Sequence, residues 1–533
     1  MVHRLKIVLF LCFLNNLLVA QEFPYRITLG ELHIPQLGGI QSYAYAQSQG
    51  KWLIIGGRLD GLHRREPWAS FDSLGHNREI VVVDPSQQKK WKTDLLALPV
   101  ALRNQLSSTN MEFRQVDDYL VLIGGYGITE ETGEHITHPF LTLIDVPKLV
   151  KAIEQNEPIQ PYFYQIQNEQ FAVCGGKLIL QDSTFFLFGG HRFDGRYNPF
   201  DGPSFTQVYT DAIRRFQLTG EGLRKEVRFL EEWNNNELFH RRDLNVLTQV
   251  STDGEPYHIA FSGVFQPELN QPYLTSVVVN SDSAWLQPEF AQYFNHYHCA
   301  SVVLYDKSAH LHHNLFFGGI AQYYDSSGFM VQDNDIPFVR TISRVTRSAN
   351  NWMQEFLLPI EMPTLLGTAS EFIVNEEIIE KNNKVIYLND LKDDTTLLGY
   401  IYGGIQSTSP NIFWTNEGTQ SISSPTIFPV YLIKDAGAES LINDFSRNSL
   451  QLQVFPNPVE NEFFYSFTVA ANSNVEVAFK NLLGETVCGK SWKKLPAGTY
   501  SDNLKYRKLD RGSVYYLHLT VNGQLVTQKI LVN

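Results

Sequence analysis

Cysteine is scarce in this chain: four residues in 533, at Cys12, Cys174, Cys299 and Cys488. Their spacings are too long for a zinc ribbon or a Cys-x-x-Cys redox motif, and Cys12 falls in an apolar leader, which leaves an odd number. No disulfide framework is indicated, and a chain of this length builds its core without one. Positive charge is also short. Lys and Arg number 43 against 56 Asp and Glu, for a formal charge of −13 without any long basic run. That argues against a nucleic acid or an anionic membrane as partner, because phosphate binding needs clustered cations. Nowhere beyond the first 20 residues is there an apolar run long enough to span a bilayer. Gly-x-Ser-x-Gly, His-Glu-x-x-His and phosphate-loop motifs are missing, so hydrolysis and phosphoryl transfer find no support. Aromatic residues are plentiful instead, with 35 Phe, 25 Tyr and 8 Trp, a composition suited to β-structure and broad contact surfaces.

At the N-terminus, a short basic segment ending at Lys6 precedes apolar Ile7–Leu14, and Leu18-Val19-Ala20 closes on a small residue. This is the layout of a secretory signal peptide, residues 1–20, cut after Ala20. The competing readings are a single membrane anchor, which Asn15-Asn16 interrupts, and a lipoprotein at Cys12, where bulky Leu11 is the wrong neighbour.

A run of apolar residues ending in Gly-Gly recurs along the chain. It closes at Gly56-Gly57, Gly124-Gly125, Gly189-Gly190, Gly318-Gly319 and Gly403-Gly404, and Ser262-Gly263 is a weaker sixth copy. The steps between copies are 68, 65, 73, 56 and 85 residues. One short β-like run precedes each copy; a polar loop and a third run follow, and a fourth often begins near a Trp (Trp91, Trp285, Trp352). Four strands repeated six times predict a β-propeller. These residues resemble the kelch repeat over about residues 22–435, and Val83-Asp84-Pro85 through Trp91 to Leu98-Pro99 follows its pattern well. Departures are Ser262 and units longer than the roughly 50 residues usual for kelch. No fourth strand follows Thr426–Leu432, so Tyr25–Leu29 is expected to complete the last sheet and remove its open edge. The longest step leaves room for a degenerate seventh unit within Asn375–Asp394.

From Leu452 the texture changes to short alternating strands with Gly-centred turns, which reads as a small Ig-like β-sandwich. Phe455-Pro456-Asn457-Pro458, Asn481-Leu482-Leu483-Gly484, Gly512–Leu517 and Gln528–Val532 resemble the sorting domain of the type IX secretion system. That resemblance implies the secretion machinery as a partner and a final location outside the cell or on the outer-membrane surface. The expected organisation is all-β: signal peptide 1–20, six-bladed kelch-like propeller 21–435, linker 436–449 and sorting domain 450–533.

The loops after each Gly-Gly share one rim of such a disc. They offer Arg58, Tyr126, His191, Arg192, Asp194, Tyr323, Tyr324 and Gln406 as ligand-binding candidates, with Asp60, His63, Arg196 and Gln322 nearby. His296 and His298, two apart on an expected strand, form a weak candidate metal pair lacking a third ligand. No cofactor is expected. The reading is an exported protein whose rim binds a glycan or protein. Because kelch propellers include enzymes, the alternative is a carbohydrate-active enzyme, sialic-acid-mutarotase-like or oxidase-like, although the two His, Tyr and Cys–Tyr set of a galactose-oxidase-like copper site does not assemble from this sequence.

Overall fold

Each Gly-Gly ends a buried strand and turns the chain through the left-handed region. Both residues of all six copies have positive φ, from 49° at Ser262 to 98° at Gly319. Glycine pays no Cβ penalty there, and neighbouring backbone also excludes a side chain. An ideal Cβ on Gly124 would lie 1.8 Å from the Val173 carbonyl oxygen, and one on Gly318 1.9 Å from that of Leu366. In five copies the second residue uses this closeness to donate its N–H to the segment leading into the next sheet. The bonds run Gly57 to Ser108, Gly125 to Val173, Gly190 to Arg241, Gly263 to His296 and Gly404 to Ile40, at 2.8–3.1 Å.

The computed structural model describes residues 23–198, 204–326, 329–379, 384–434, 452–455, 459, 463–469, 472–481, 486–496, 498–503, 513–522 and 524–532. The signal peptide, the linker and the turns at Pro456–Pro458, Leu482–Gly484 and Gly512 lie outside the described residues. Two compact units are present, one spanning Ile27–Ile433 and the other holding the C-terminal strands.

Among the described residues of the larger unit, six antiparallel sheets each contain a path of four strands. The first comprises Ala44–Ser48, Lys51–Ile55, Glu79–Asp84 and Lys89–Asp94; the next four repeat that order along the chain. In the sixth, Leu365–Val374, Thr395–Ser407 and Ile427–Lys434 are joined by Tyr25–Leu29. Gly30 and Leu32 donate to Pro429 and Ile427, both at 2.8 Å, extending that pairing. Among its described residues, Asn375–Asp394 forms no sheet of its own: the short strand Val385–Tyr387 lies parallel on Ala300–Asp306, the first strand of the fifth sheet.

A second set of contacts runs around the axis. Ser42 N–H donates to Ala369, Ala369 to His298, His298 to Asp243, Asp243 to Gly175, Gly175 to Asn110, and Asn110 back to Ser42, at 2.7–3.2 Å. Six residues, five of them just before the first strand of a sheet and Ala369 within Leu365–Val374, thus close a belt of backbone hydrogen bonds. All but His298 have φ between 49° and 70°, a region Asn, Asp and Gly tolerate. With hydrogen-bonded backbones about 4.8 Å apart, a hexagonal belt has a radius of about 5 Å.

The core is divided into wedges between consecutive sheets. Leu53, Ile55, Ile80, Leu120 and Leu122 fill the first, together with Leu149 and Ile153 from the helix Val146–Gln155. Tyr43, Trp52 and Tyr402 fill the seam between sixth and first, where Tyr43 and Tyr45 donate to the carbonyls of Tyr402 and Phe372 at 3.0 and 2.8 Å.

The smaller unit pairs a three-stranded and a four-stranded antiparallel sheet. Val514–Val521 alternates in burial, and Phe463, Tyr465, Phe467, Val477, Phe479 and Leu517 from both sheets share one core.

Gly124→Ala and Gly133→Ala separate the two demands on glycine. Both have positive φ, but nothing lies within 4 Å of a Cβ at Gly133. Urea unfolding of Gly133→Ala is expected to show a loss of about 1 kcal/mol from backbone strain alone. Gly124→Ala must also displace Val173, and its loss is expected to be at least about 3 kcal/mol.

Candidate functional site

The belt forms the waist of an axial cavity of about 830 Å³, and all six belt residues line it. Which side chains enter the cavity follows from strand alternation. The residue just after Gly-Gly bridges to the residue just before the belt: Gln41 with Arg58, Thr109 with Tyr126, Cys174 with His191, Arg242 with Val264. That position faces inward and the next faces out. In His191–Gly195, accordingly, His191 and Phe193 are buried whereas Arg192 is exposed.

Two of the eight rim candidates therefore line the cavity. Tyr126 donates to the Gly195 carbonyl at 2.7 Å. His191 holds Gln207 through Nδ1 at 2.6 Å, and burial, reinforced by Arg242, keeps its imidazole well below the usual range. Arg58 is a buried brace: it clasps Asp60 with two nitrogens and donates to the Asp72 carbonyl at 3.1 Å. Arg192 points outward into ion pairs with Asp194 and Glu169, and Asp194 also accepts from Thr137 N–H at 3.0 Å. Tyr323 packs edge-on against Tyr293. Tyr324 shares the strand Tyr323–Ser326 with it, and Gln406 is held in register between Leu366 and Ile422. None of these last three lines the cavity.

The histidine pair is not on a strand, because Ala300 is the first strand residue after it and Asn295 turns the chain at φ 60°. The shared direction expected of His296 and His298 is thereby lost. His296 is fully buried, with Nε2 on the Gln292 carbonyl and Nδ1 accepting from Gln322 N–H, both at 3.0 Å. His298 lines the cavity and meets Glu371 at 3.1 Å. Among the described residues, no three His, Cys, Asp or Glu side chains gather as a ligand set.

What the sequence reading missed is the polar floor. Asn110, Glu112, Lys177, Arg242, Asp243 and Glu371 all line the cavity, drawn from the second, third, fourth and sixth sheets. Arg242 pairs with Asp243 and donates to Tyr209 Oη at 3.1 Å. Glu112 accepts from Gly176 N–H at 2.6 Å through Oε1, and its buried Oε2 has no hydrogen-bond partner. Burial drives the Glu112 carboxyl well above the ordinary range, with Asp243 adding to the effect against its amide bonds and Lys177. Burial would raise Glu371 too, but Lys177 and His298 outweigh it and hold that carboxyl below the ordinary range. Two carboxyl groups in one cavity are thus pushed in opposite directions. One signal was available: Lys177 opens a first strand whose next three residues, Leu178–Leu180, are apolar.

The walls are aromatic. Phe193 stacks on Phe205 at 4.8 Å, Tyr209 on His240 at 3.8 Å, and Tyr197 meets His63 edge-on at 4.6 Å. Trp414 lines the cavity while remaining 61% exposed.

Residues 453–533 match the family described as the secretion system C-terminal sorting domain. The protein is exported by the type IX secretion system. It is accordingly either released or attached at the outer-membrane surface. No curated protein matches the chain. Among solved structures, a fungal alcohol oxidase of the AA5 family in complex with copper is 8% identical, over 95% of this chain and 98% of that one, with a TM-score of 0.37. The protein YjhT is 11% identical, over 61% of this chain and 99% of its own, with a TM-score of 0.27. At these values neither protein's activity transfers.

Two outcomes follow. A carboxyl raised by folding stabilises the native state below its unfolded pKa and loses that contribution as pH climbs towards its folded value. Urea midpoints of the wild type between pH 4 and 8 should therefore fall more steeply than those of Glu112→Gln. Deleting residues 453–533 should leave the protein in the periplasm, as fractionation and immunoblotting would show.

Proposed function

We propose that the larger unit is a six-bladed kelch-type propeller and that its axial cavity binds a carbohydrate presented outside the cell. The observation carrying this reading is the composition of the cavity: aromatic faces around the mouth over a floor of hydrogen-bonding and charged groups. Sugars offer both surfaces, apolar C–H faces for stacking and hydroxyl groups for directional bonds, and ligand sites generally combine apolar walls with a few placed polar groups. Rigid, partly exposed Trp414 supplies contact area with little side-chain entropy to lose. Type IX export puts the cavity where such ligands occur.

A second reading, a carbohydrate-modifying enzyme, is favoured by one observation, the opposed Glu112 and Glu371 environments. Carboxyl groups whose ionisation is pushed apart are suited to the acid and base halves of one reaction.

The whole secreted chain on a glycan array tests binding, with Trp414→Ala beside it. Saturable binding weakened at least about ten-fold by Trp414→Ala, the loss of one central aromatic anchor, is the expected result. A blank array, or binding that Trp414→Ala leaves unchanged, rejects a carbohydrate at this cavity. Turnover of a bound glycan that Glu112→Gln abolishes while binding persists would favour the enzymatic reading.

A further inference from the structure

The belt is too narrow for a sugar to pass. A radius of about 5 Å to the backbone, less a contact half-width of roughly 1.8 Å, leaves an opening of about 3 Å before any side chain is counted. Side chains narrow it further. Asn110 Nδ2 and Asp243 Oδ1, from the belt positions on either side of Gly175, meet at 3.4 Å, and His298 meets Glu371 at 3.1 Å. Below the belt, Lys384 enters from the insertion in the sixth sheet and donates to Tyr45 Oη at 3.1 Å. A pyranose ring with its hydroxyl groups is wider than this opening. Whatever part of a glycan enters by the mouth is therefore joined to the rest through the same mouth.

At that mouth the aromatic surface continues outward. Trp414 lines the cavity, and Trp68, 72% exposed, stands on the loop between His63 and Phe71. Those two rings also line the cavity and stack at 5.4 Å. Arg65, three residues before Trp68, ties this loop to the one that carries Trp414. Its backbone N–H donates to the Asn416 carbonyl and its Nη1 to the Trp414 carbonyl, both at 3.0 Å. Asn416 Nδ2 donates in turn to the carbonyls of Leu62 and His63 at 2.8 and 3.0 Å. Arg196, from the loop of the third repeat, donates to the Trp68 carbonyl at 2.6 Å. Both tryptophans are thus pinned by their backbones while their indoles stand in water. Two exposed indoles on bonded loops beside one cavity differ from apolar residues scattered singly, and mark a contact surface.

We propose that the cavity takes the free end of a glycan chain and that the following units leave it over Trp414 and then Trp68. The inference rests on the reading of the cavity as a carbohydrate site and names the form of ligand, a chain with an accessible end rather than a single sugar. The closed waist dictates end-on entry, because a chain gripped by its middle would have to fold back on itself to leave. Outside, each indole offers a flat apolar face to the C–H side of one sugar ring, and its two side-chain torsions cost little to fix.

The test titrates the whole secreted chain, by calorimetry, with linear malto-, cello-, xylo- and chito-oligosaccharides of one to six units. In a series that binds, affinity is expected to rise at least about five-fold from the shortest ligand bound to the chain two units longer, the worth of one further aromatic contact. Trp68→Ala should remove that rise and Trp68→Phe, which keeps a flat face, should retain most of it. Trp285→Ala, which deletes an exposed indole on the outer strand of the fourth sheet, should leave the rise unchanged. Unchanged far-UV circular dichroism confirms that each variant folds. Coupling the hexamer to albumin through one end should abolish binding, and through the other end preserve it. The same outcome at both ends would overturn end-on entry. Affinity independent of length, or a rise that survives Trp68→Ala, would overturn the path over the rim and leave the carbohydrate reading standing. No saturable binding in any series would overturn both.

Discussion

A closed belt of six backbone hydrogen bonds holds the larger unit together. Ser42, Asn110, Gly175, Asp243, His298 and Ala369 each donate to one neighbour and accept from the other, so no sheet is terminal. Outside it, five of the six Gly-Gly turns make a parallel set of links from one sheet to the next. Each bond contributes roughly 1 kcal/mol net, so six are comparable with the whole stability of a typical domain. They also tie the first strands of all six sheets together at one level, which makes the cavity a single place rather than six unrelated loops.

Belt amides and carbonyls satisfy one another around the ring, and the side chains that line the cavity arrive by parity. The first residue after Gly-Gly reaches the cavity in four of the six copies, which admits Tyr126 and His191; the second leans outward in His191–Gly195, which commits Arg192 to Asp194 and Glu169. The strand starts two residues past the belt bring Glu112 and Lys177. The insertion after Leu365–Val374 adds Lys384 below. The walls are thus aromatic and the floor charged by construction.

The two units divide the labour cleanly. The C-terminal strands carry the address: their match to a sorting domain accounts for export. The larger unit can then spend its inner surface on groups that are poorly solvated and incompletely paired, such as the Glu112 carboxyl. Such groups lower stability locally, and the inter-sheet wedges of Leu, Ile, Val and aromatic side chains outweigh that loss.

Local pattern in the sequence determined the strands, their grouping by Gly-Gly, the use of Tyr25–Leu29 beside Ile427–Lys434, and the export tail. All of these depend on residues adjacent in the chain: alternation, turn chemistry and a contiguous motif. Of the site, it gave Tyr126, His191 and His298, since position after Gly-Gly or before a first strand is a local property. Tertiary structure alone decided the rest. Glu112, Lys177 and Asp243 stand in three different repeats, Glu371 and Lys384 in a fourth, and the five share no local pattern. What unites them is the closing of the belt, which brings the starts of six first strands around one axis. Likewise Arg58 reads as a surface arginine until the fold places Asp60 and the Asp72 carbonyl around it, and His296 reads as a partner of His298 until the turn at Asn295 points it into the core. Burial and pairing depend on neighbours brought in from far along the chain, and only the folded molecule supplies those.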